Sequence, residues 1–158
     1  AFHPEMWADP LFENPWRRFN NDDPERMAKH AAAYDALAKD LARHCGQHVP
    51  GAGDMRLATA TARALADRYA LIAALLDAYK RQDKDALKKA AAGIEPTRES
   101  IRALAGAFRT MWLNHNKREG LETIQARFGM LDARYQEMQQ CVQELLDGVI
   151  TRIAEWEA

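Results

Sequence analysis

The histidines of this chain are the first residues to consider for a metal site. His44 and His48 are four residues apart, an interval that lets two imidazoles on one helix share a metal ion. Gly46 and Pro50 lie within and next to that interval, and both residue types commonly end helices. We therefore expect a helix end between the two histidines, where an imidazole more often faces the negative terminus of the helix dipole. The pattern predicts no metal ligands here.

Acidic residues are the second group that could carry chemistry. Di-iron bundles need Glu-x-x-His pairs on facing helices, and the nearest approach, Glu25 with His30, has the wrong interval. Glycoside hydrolysis needs two carboxyl groups about 5–10 Å apart, one of them with a raised pKa, and the sequence singles out no such pair. Most acidic residues here alternate with Lys and Arg at helical spacing, which is typical of solvated helix faces. We predict no catalytic residue, no cofactor-binding residue, no metal ligand and no cofactor.

Length and charge narrow the remaining classes of function. The 158 residues suffice for one domain with a hydrophobic core. Lys and Arg total 22 against 23 Asp and Glu, so the chain lacks the excess of positive charge that binds nucleic acid or an anionic membrane surface. No apolar run reaches about 18 residues, the length that a transmembrane helix needs. The sequence predicts no nucleic-acid partner and no membrane partner.

Large aromatic residues are concentrated in residues 1–22, where prolines at three positions prevent a continuous helix. We interpret this segment as an extended N-terminal arm that lies over a hydrophobic surface, because an unstructured tail rarely carries so many large apolar side chains. The aromatic residues either anchor the arm by burial or form a docking surface for a partner. The candidate docking surface consists of Phe2, Trp7, Phe12 and Trp16.

Local signals predict helices in the rest of the chain. Residues 22–23 supply the cap of a first helix, which has Pro24 at its first position and ends at about Cys45. A second helix is capped by Asp54 and ends near Arg81.

The third helical region is predicted to begin at Asp83 as its cap. Gly93 and Pro96 predict a kink or a short break before residues 97–113. A fourth helix carries one apolar seam in steps of three and four residues, with Gly148 as a weak point or stop. The seam consists of Leu121, Ile124, Phe128, Leu131, Tyr135, Met138, Val142, Leu145 and Val149.

A seam this long and narrow requires partner helices. The predicted fold class is therefore all-α, an antiparallel up-down four-helix bundle with an aromatic- and proline-rich N-terminal arm. We assign residues 1–22 to the arm and residues 23–158 to the bundle, as a single domain overall.

Several short motifs resemble the C-terminal helical domain of bacterial β-N-acetylhexosaminidases of glycoside hydrolase family 20. The Asp9-Pro10-Leu11 motif is similar to the Asp-Pro-Leu that follows the catalytic barrel in those enzymes. The remaining motifs lie in the last third of the chain. They are Met111-Trp112, Asn116-Lys117, Gly120-Leu121-Glu122, Arg127-Phe128-Gly129, Leu131 and Arg134.

The resemblance implies an accessory role without catalysis. In that family the chemistry belongs to a (β/α)8 barrel with an adjacent Asp-Glu pair, and this chain has no Asp-Glu dipeptide and no room for a barrel of about 200–250 residues. The implied function is docking on the catalytic barrel of the same enzyme, mediating a homodimer, or both. Two alternatives remain: a free-standing helical protein-interaction module, and a small enzyme or metal-binding bundle.

Overall fold

A computed structural model describes residues 4–11, 23–44 and 52–157. Within these ranges the chain is helical and contains no strand, so the predicted all-α class is confirmed. A 3₁₀ helix lies near each end, Pro4–Trp7 and Ala154–Trp156. The α-helices are α1 (Pro24–His44), α2 (Ala52–Lys80), α3 (Lys84–Ala91), α4 (Ile94–His115) and α5 (Leu121–Leu146).

The start of α1 follows the predicted capping signal. The Asp23 carboxylate accepts a hydrogen bond of 2.9 Å from the backbone N–H of Glu25, and the Asp23 carbonyl accepts one of 3.1 Å from Met27. Pro24 occupies the first helical position, where its missing N–H removes no helical hydrogen bond. The helix is described as far as His44, and the predicted end at Cys45 lies outside the described residues.

Helix α2 is the central helix of the fold and packs against α1, α3 and α4. It begins at Ala52, so the prediction that Asp54 caps it is wrong: Asp54 lies in the first turn. Residues around most of its circumference are buried, and many of them are alanines, which let neighbouring helices approach closely. The buried residues are Ala62, Ala64, Leu65, Ala66, Arg68, Tyr69, Leu71, Ile72, Ala73, Leu75, Leu76 and Ala78.

The predicted interruption of the third helical region is confirmed as a short break. Asp83 caps α3, because its carboxylate accepts a 2.9 Å hydrogen bond from Ala86. Gly93 precedes α4 and lies close to α2: a Cβ there would be 3.1 Å from the Ala90 carbonyl oxygen and 3.4 Å from Leu71 Cδ1. Pro96 does not break the helix, because it lies in the first turn of α4, where backbone N–H groups have no helical partner.

The seam of α5 faces the core, with one correction at its end. The predicted seam residues from Leu121 to Val142 are buried, except for Ile124, which is half-buried, and Leu145 is also half-buried. Val149 is 73% exposed, so its assignment to the seam is wrong. The reason is Gly148, which adopts a φ of +75° and turns the chain away from the helix. The Val149 N–H donates a 2.8 Å hydrogen bond to the Glu144 carbonyl, which is typical of a helix that ends at a glycine C-cap.

The C-terminal tail folds back onto α2. Ile153 and Trp156 are buried, and the Trp156 ring meets the Tyr79 ring edge-on at a centroid distance of 5.2 Å. The Tyr79 hydroxyl accepts a 3.0 Å hydrogen bond from Ile153 N–H and donates one of 2.8 Å to Glu157. Burial, the largest cause, raises the pKa of Tyr79, so its hydroxyl keeps its proton and donates.

The helix–helix interfaces of the fold are, from the largest down, α1 with α2, α2 with α4, α2 with α3, α4 with α5 and α3 with α5. The antiparallel up-down arrangement of the four long helices stays a prediction, as does the division between an arm of residues 1–22 and a bundle of residues 23–158.

Candidate docking surface

Trp7 is the member of the candidate docking surface that the structure describes. Its ring is half-buried and packs on Phe128, with a centroid distance of 5.0 Å, while the Arg127 guanidinium lies 5.8 Å from the ring centroid. Phe2, Phe12 and Trp16 lie outside the described residues. Their role in docking therefore stays a prediction.

Arg68 of α2 holds the arm from inside the core. The residue is fully buried, and its guanidinium donates to the backbone carbonyls of Met6 and Ala8, the second at 2.6 Å. Its Nε donates a 2.8 Å hydrogen bond to the Tyr135 hydroxyl of α5. Burial, the largest cause, raises the pKa of Tyr135, so the phenol remains a neutral acceptor beside the arginine. One side chain thus connects the arm, α2 and α5.

A second connection joins the arm to α5 through two residues of the sequence motifs. The Asp9 carboxylate and Arg134 Nε form an ion pair at 2.6 Å, and both side chains are about three-quarters buried, at 27% and 28% exposure. The other Asp9 oxygen accepts a 2.8 Å hydrogen bond from Leu11 N–H. Leu11, Met6 and Ala8 are buried in the core. Residues 6–11 are therefore an integral part of the packed structure.

Other motif residues build the turn between α4 and α5. The Trp112 indole N–H donates a 2.7 Å hydrogen bond to the Lys117 carbonyl, and the Trp112 carbonyl accepts one of 2.8 Å from Asn116 N–H. Gly120 adopts a φ of +85°, and a Cβ there would be 3.4 Å from the Trp112 ring. The Trp112 indole and the positive φ of Gly120 therefore fix the geometry of the turn, to which Asn116 and Lys117 contribute backbone groups.

A recess of about 590 Å³ opens beside Trp7, between the arm and the ends of α2, α4 and α5. Its lining is mostly apolar, with an amide and a guanidinium as the polar groups. Half of the lining comes from the sequence motifs. The lining residues are Trp7, Leu57, Phe108, Met111, Trp112, Asn116, Ile124 and Arg127.

Titratable groups on α1, α4 and α5 form contacts within or between the helices. Arg98 of α4 forms two 3.0 Å hydrogen bonds to the Asp132 carboxylate of α5, and the first of the causes that lower the pKa of Asp132 is this hydrogen bonding. His44 is the last described residue of α1, and its Nδ1 lies 2.9 Å from the Asp40 carbonyl oxygen; the predicted helix end between His44 and His48 lies outside the described residues. His48 lies outside the described residues. Across the described ranges no three His, Cys, Asp or Glu residues converge closely enough to bind a metal ion.

Sequence reasoning missed Arg68, the residue that connects the most elements. The sequence nevertheless contains a signal for it: Arg68 falls four residues after Ala64 and four before Ile72, so it shares a helix face with these two apolar residues. A charged residue at a core position of a helix needs hydrogen-bonding partners there, and the arm supplies two of them.

Comparison with known proteins identifies a family. The profile described as Glycoside Hydrolase 20C C-terminal domain matches residues 11–158, which confirms the resemblance drawn from the motifs. No curated protein matches the chain. In the part of the chain that the structure describes, no helix has the length and apolar composition for crossing a bilayer.

Proposed function

The chain belongs to the family of glycoside hydrolase 20C C-terminal domains, and from this premise we propose that it docks on the catalytic barrel of a β-N-acetylhexosaminidase. The family is the non-catalytic, accessory part of family 20 enzymes. In this proposal the barrel performs the hydrolysis, and this chain supplies no catalytic residue, cofactor ligand or metal ligand. Its contribution is to hold and stabilise the barrel.

The observation that carries the proposal is the fixed position of the arm. In the enzymes that the chain resembles, the barrel precedes the Asp-Pro-Leu motif, so residues 4–11 are the polypeptide that would lead out of the barrel. Arg68 holds the carbonyls on both sides of Trp7, and Asp9 is paired with Arg134. A segment with these restraints transmits the position of one domain to the next, whereas a flexible linker does not.

Activity and stability of the enzyme with and without this chain test the proposal. We expect the 158-residue chain alone to leave a chromogenic N-acetylglucosaminide intact. We expect the intact polypeptide of barrel plus chain to hydrolyse it and to unfold at a higher temperature than the barrel alone. Hydrolysis by the chain alone, or a barrel equally active and stable without it, contradicts the proposal.

The second part of the proposal is a homodimer, favoured by the outer face of α5. Met130 is 59% exposed there, and a Cβ placed on the neighbouring Gly129 would meet no atom within 4 Å. Glycine in a helix interior costs about 1 kcal/mol relative to alanine, and internal packing gives no reason for it here. Sedimentation velocity of the intact enzyme and of its Met130→Glu variant tests this part: dimerisation through this face predicts a dimer that the variant loses.

The alternative function is a free-standing helical module that binds a partner helix or peptide. Gene context separates the two readings. An open reading frame that continues upstream into a barrel sequence supports the accessory domain, and a start codon at the arm supports the module.

A further inference from the structure

We propose that residues 153–157 of the C-terminal tail are a strap that opens and closes as one unit while the helices stay folded, and that the Tyr79 hydroxyl of α2 holds it closed. The strap contains the 3₁₀ helix Ala154–Trp156. It begins beyond the glycine stop of α5, where the chain has already left that helix. Opening of the strap requires no barrel, so it is independent of the proposed docking.

A two-residue pivot separates the strap from α5. Val149 and Ile150 are still attached to the end of α5, because both of their N–H groups donate to the Glu144 carbonyl, at 2.8 and 3.3 Å. Thr151 and Arg152, which follow, are exposed and lie outside any helix. A rotation of the backbone at these two residues moves the strap and leaves α5 in place, which is how a hinge motion works.

The strap is attached to α2 through two apolar side chains and one hydroxyl group. Ile153 and Trp156 are buried, and the Trp156 ring meets the Tyr79 ring at a centroid distance of 5.2 Å. The Tyr79 hydroxyl accepts a hydrogen bond from Ile153 N–H and donates one to the Glu157 carboxylate. The backbone N–H groups of Trp156 and Glu157 donate to the Ile153 and Ala154 carbonyls, inside the strap itself. Detachment therefore breaks the hydrogen bonds of the Tyr79 hydroxyl and leaves those of the helices intact.

A second recess shows that the strap packs incompletely against the helices. This recess has a volume of about 590 Å³ and lies between the strap, the end of α2, the start of α3 and the end of α5. Trp156 and Glu157 line it from the strap, and Leu87 and Leu145 line it from the helices. Side chains beside such a space have fewer atoms in contact than those of a close-packed core, so separating them costs less free energy. Opening enlarges the recess into an apolar groove over Leu87 and Leu145.

Cys141 of α5 supplies a natural reporter for the opening of the strap. Its thiol is half-buried, and burial is the largest cause that raises its pKa. Glu155 of the strap is one of the carboxylates that raise this pKa further, so the strap lies near the thiol when it is closed. Opening weakens both effects. Since the thiolate is the reactive form, the thiol should then react faster.

Native-state hydrogen exchange of the full chain tests whether the strap opens separately. We expect the Trp156 amide to exchange faster than the amides of Leu75 in α2 and Met138 in α5, which lie in the core. Tyr79→Phe keeps the aromatic contact and removes the hydroxyl, so it should accelerate exchange at Trp156 about tenfold. Gly120→Ala is the matched control, because it weakens the turn between α4 and α5 and not the strap. It should accelerate exchange of the core amides and leave that of Trp156 unchanged.

Alkylation of Cys141 gives a second measurement of opening. Labelling by iodoacetamide, followed by peptide mass spectrometry to separate this thiol from Cys45, should be several-fold faster in Tyr79→Phe than in the parent chain. Glu157→Gln weakens the same hydrogen bond from the strap and should change the labelling rate in the same direction. Gly120→Ala should leave the labelling rate unchanged. Circular dichroism checks that each variant keeps its helices.

Two results would overturn the strap. If Gly120→Ala accelerates exchange at Trp156 as much as at Leu75 and Met138, the tail opens only when the whole bundle unfolds. If Tyr79→Phe changes neither the exchange at Trp156 nor the labelling of Cys141, the hydroxyl does not hold the tail closed. Either result leaves the accessory role unaffected, since both measurements are made on this chain without a barrel.

Discussion

Arg134 Nε and the Asp9 carboxylate lie 2.6 Å apart, and this ion pair joins the middle of α5 to an arm residue 125 positions earlier in the chain. Both residues belong to the motifs that carry the resemblance to the family: Arg134 lies within the matched residues 11–158, and Asp9 lies two residues before them. Their pairing gives these motif residues a physical role, since neither belongs to a catalytic constellation among the described residues. The pair holds the path of the arm in place.

Removing the ion pair should weaken the attachment of the arm. We expect Asp9→Ala and Arg134→Ala each to lower the free energy of unfolding, and the double-mutant cycle to give a coupling energy of about 1 kcal/mol, above that of a typical exposed pair because both side chains are partly buried. Urea unfolding of the parent chain, the two single variants and the double variant measures this coupling energy. A coupling energy indistinguishable from zero would show that the contact contributes no stability.

Replacing Arg68 should have a larger effect. Arg68→Met keeps much of the volume but leaves the Met6 and Ala8 carbonyls and the Tyr135 hydroxyl without their donor, so we expect a loss of about 3 kcal/mol or more in the free energy of unfolding.

The control for Arg68 lies five residues earlier on the same helix. Arg63 pairs with Asp35 at 2.6 Å with side-chain exposures of 41% and 32%, and Arg63→Met should cost less than about 1 kcal/mol. Equal losses for the two arginine variants would refute the central role of Arg68.

Two glycine substitutions should change stability in opposite directions. Gly120→Ala forces a side chain into a left-handed conformation against the Trp112 ring and should cost about 1–2 kcal/mol. Gly129→Ala adds a methyl group in open space within α5 and should stabilise the monomer by about 0.5–1 kcal/mol. Thermal unfolding of both variants checks the signs, and a Gly120→Ala variant as stable as the parent chain would contradict the described turn.

The hydrogen bonds between Arg98 and Asp132 should make the free energy of unfolding depend on pH in a defined direction. The hydrogen bonds from Arg98 lower the folded-state pKa of Asp132, so their contribution is fully present above the unfolded pKa of about 3.9 and is lost as the pH falls through the lower folded value. We expect the stability difference between the parent chain and Arg98→Gln to be constant near neutral pH and to shrink below about pH 4.

Urea unfolding as a function of pH measures this difference. Asp77→Asn is the control, because Asp77 forms an exposed helical pair with Arg81 at 2.7 Å that should contribute little at any pH. A difference for Arg98→Gln that grows as the pH falls would have the wrong sign for this mechanism.

Local signals predicted the helix boundaries that depend on a few adjacent residues. Asp23 and Asp83 were recognisable as caps, and Gly148 as a stop, because each acts through its own backbone neighbours. The start of α2 at Ala52 and the exposure of Val149 were not predictable in this way. Val149 fits the spacing of the apolar seam. The chain turns at Gly148, however, so the helix does not continue to Val149 and its side chain does not face the core.

The candidate docking surface was harder to predict from the sequence, because it is built by contacts between distant parts of the chain. Trp7 was identified as an aromatic residue of interest, yet its neighbours Arg127 and Phe128 come from the far end of the sequence. The burial of Arg68 requires the arm to lie beside α2, which no local pattern specifies. The motifs pointed to the family. Their structural role, in the turn between α4 and α5 and in the ion pair between Asp9 and Arg134, could be recognised only from the three-dimensional contacts.

The arm's attachment to Arg68 has a consequence for the order of events during synthesis. Residues 4–11 leave the ribosome long before α2 and α5, so these arm residues must wait for the helices that complete their hydrogen bonds. A barrel located upstream would already have begun to fold by then, holding the other end of the arm. The relative orientation of the two domains would then be established while the bundle assembles around a tethered segment, and it would not depend on a later encounter between finished domains.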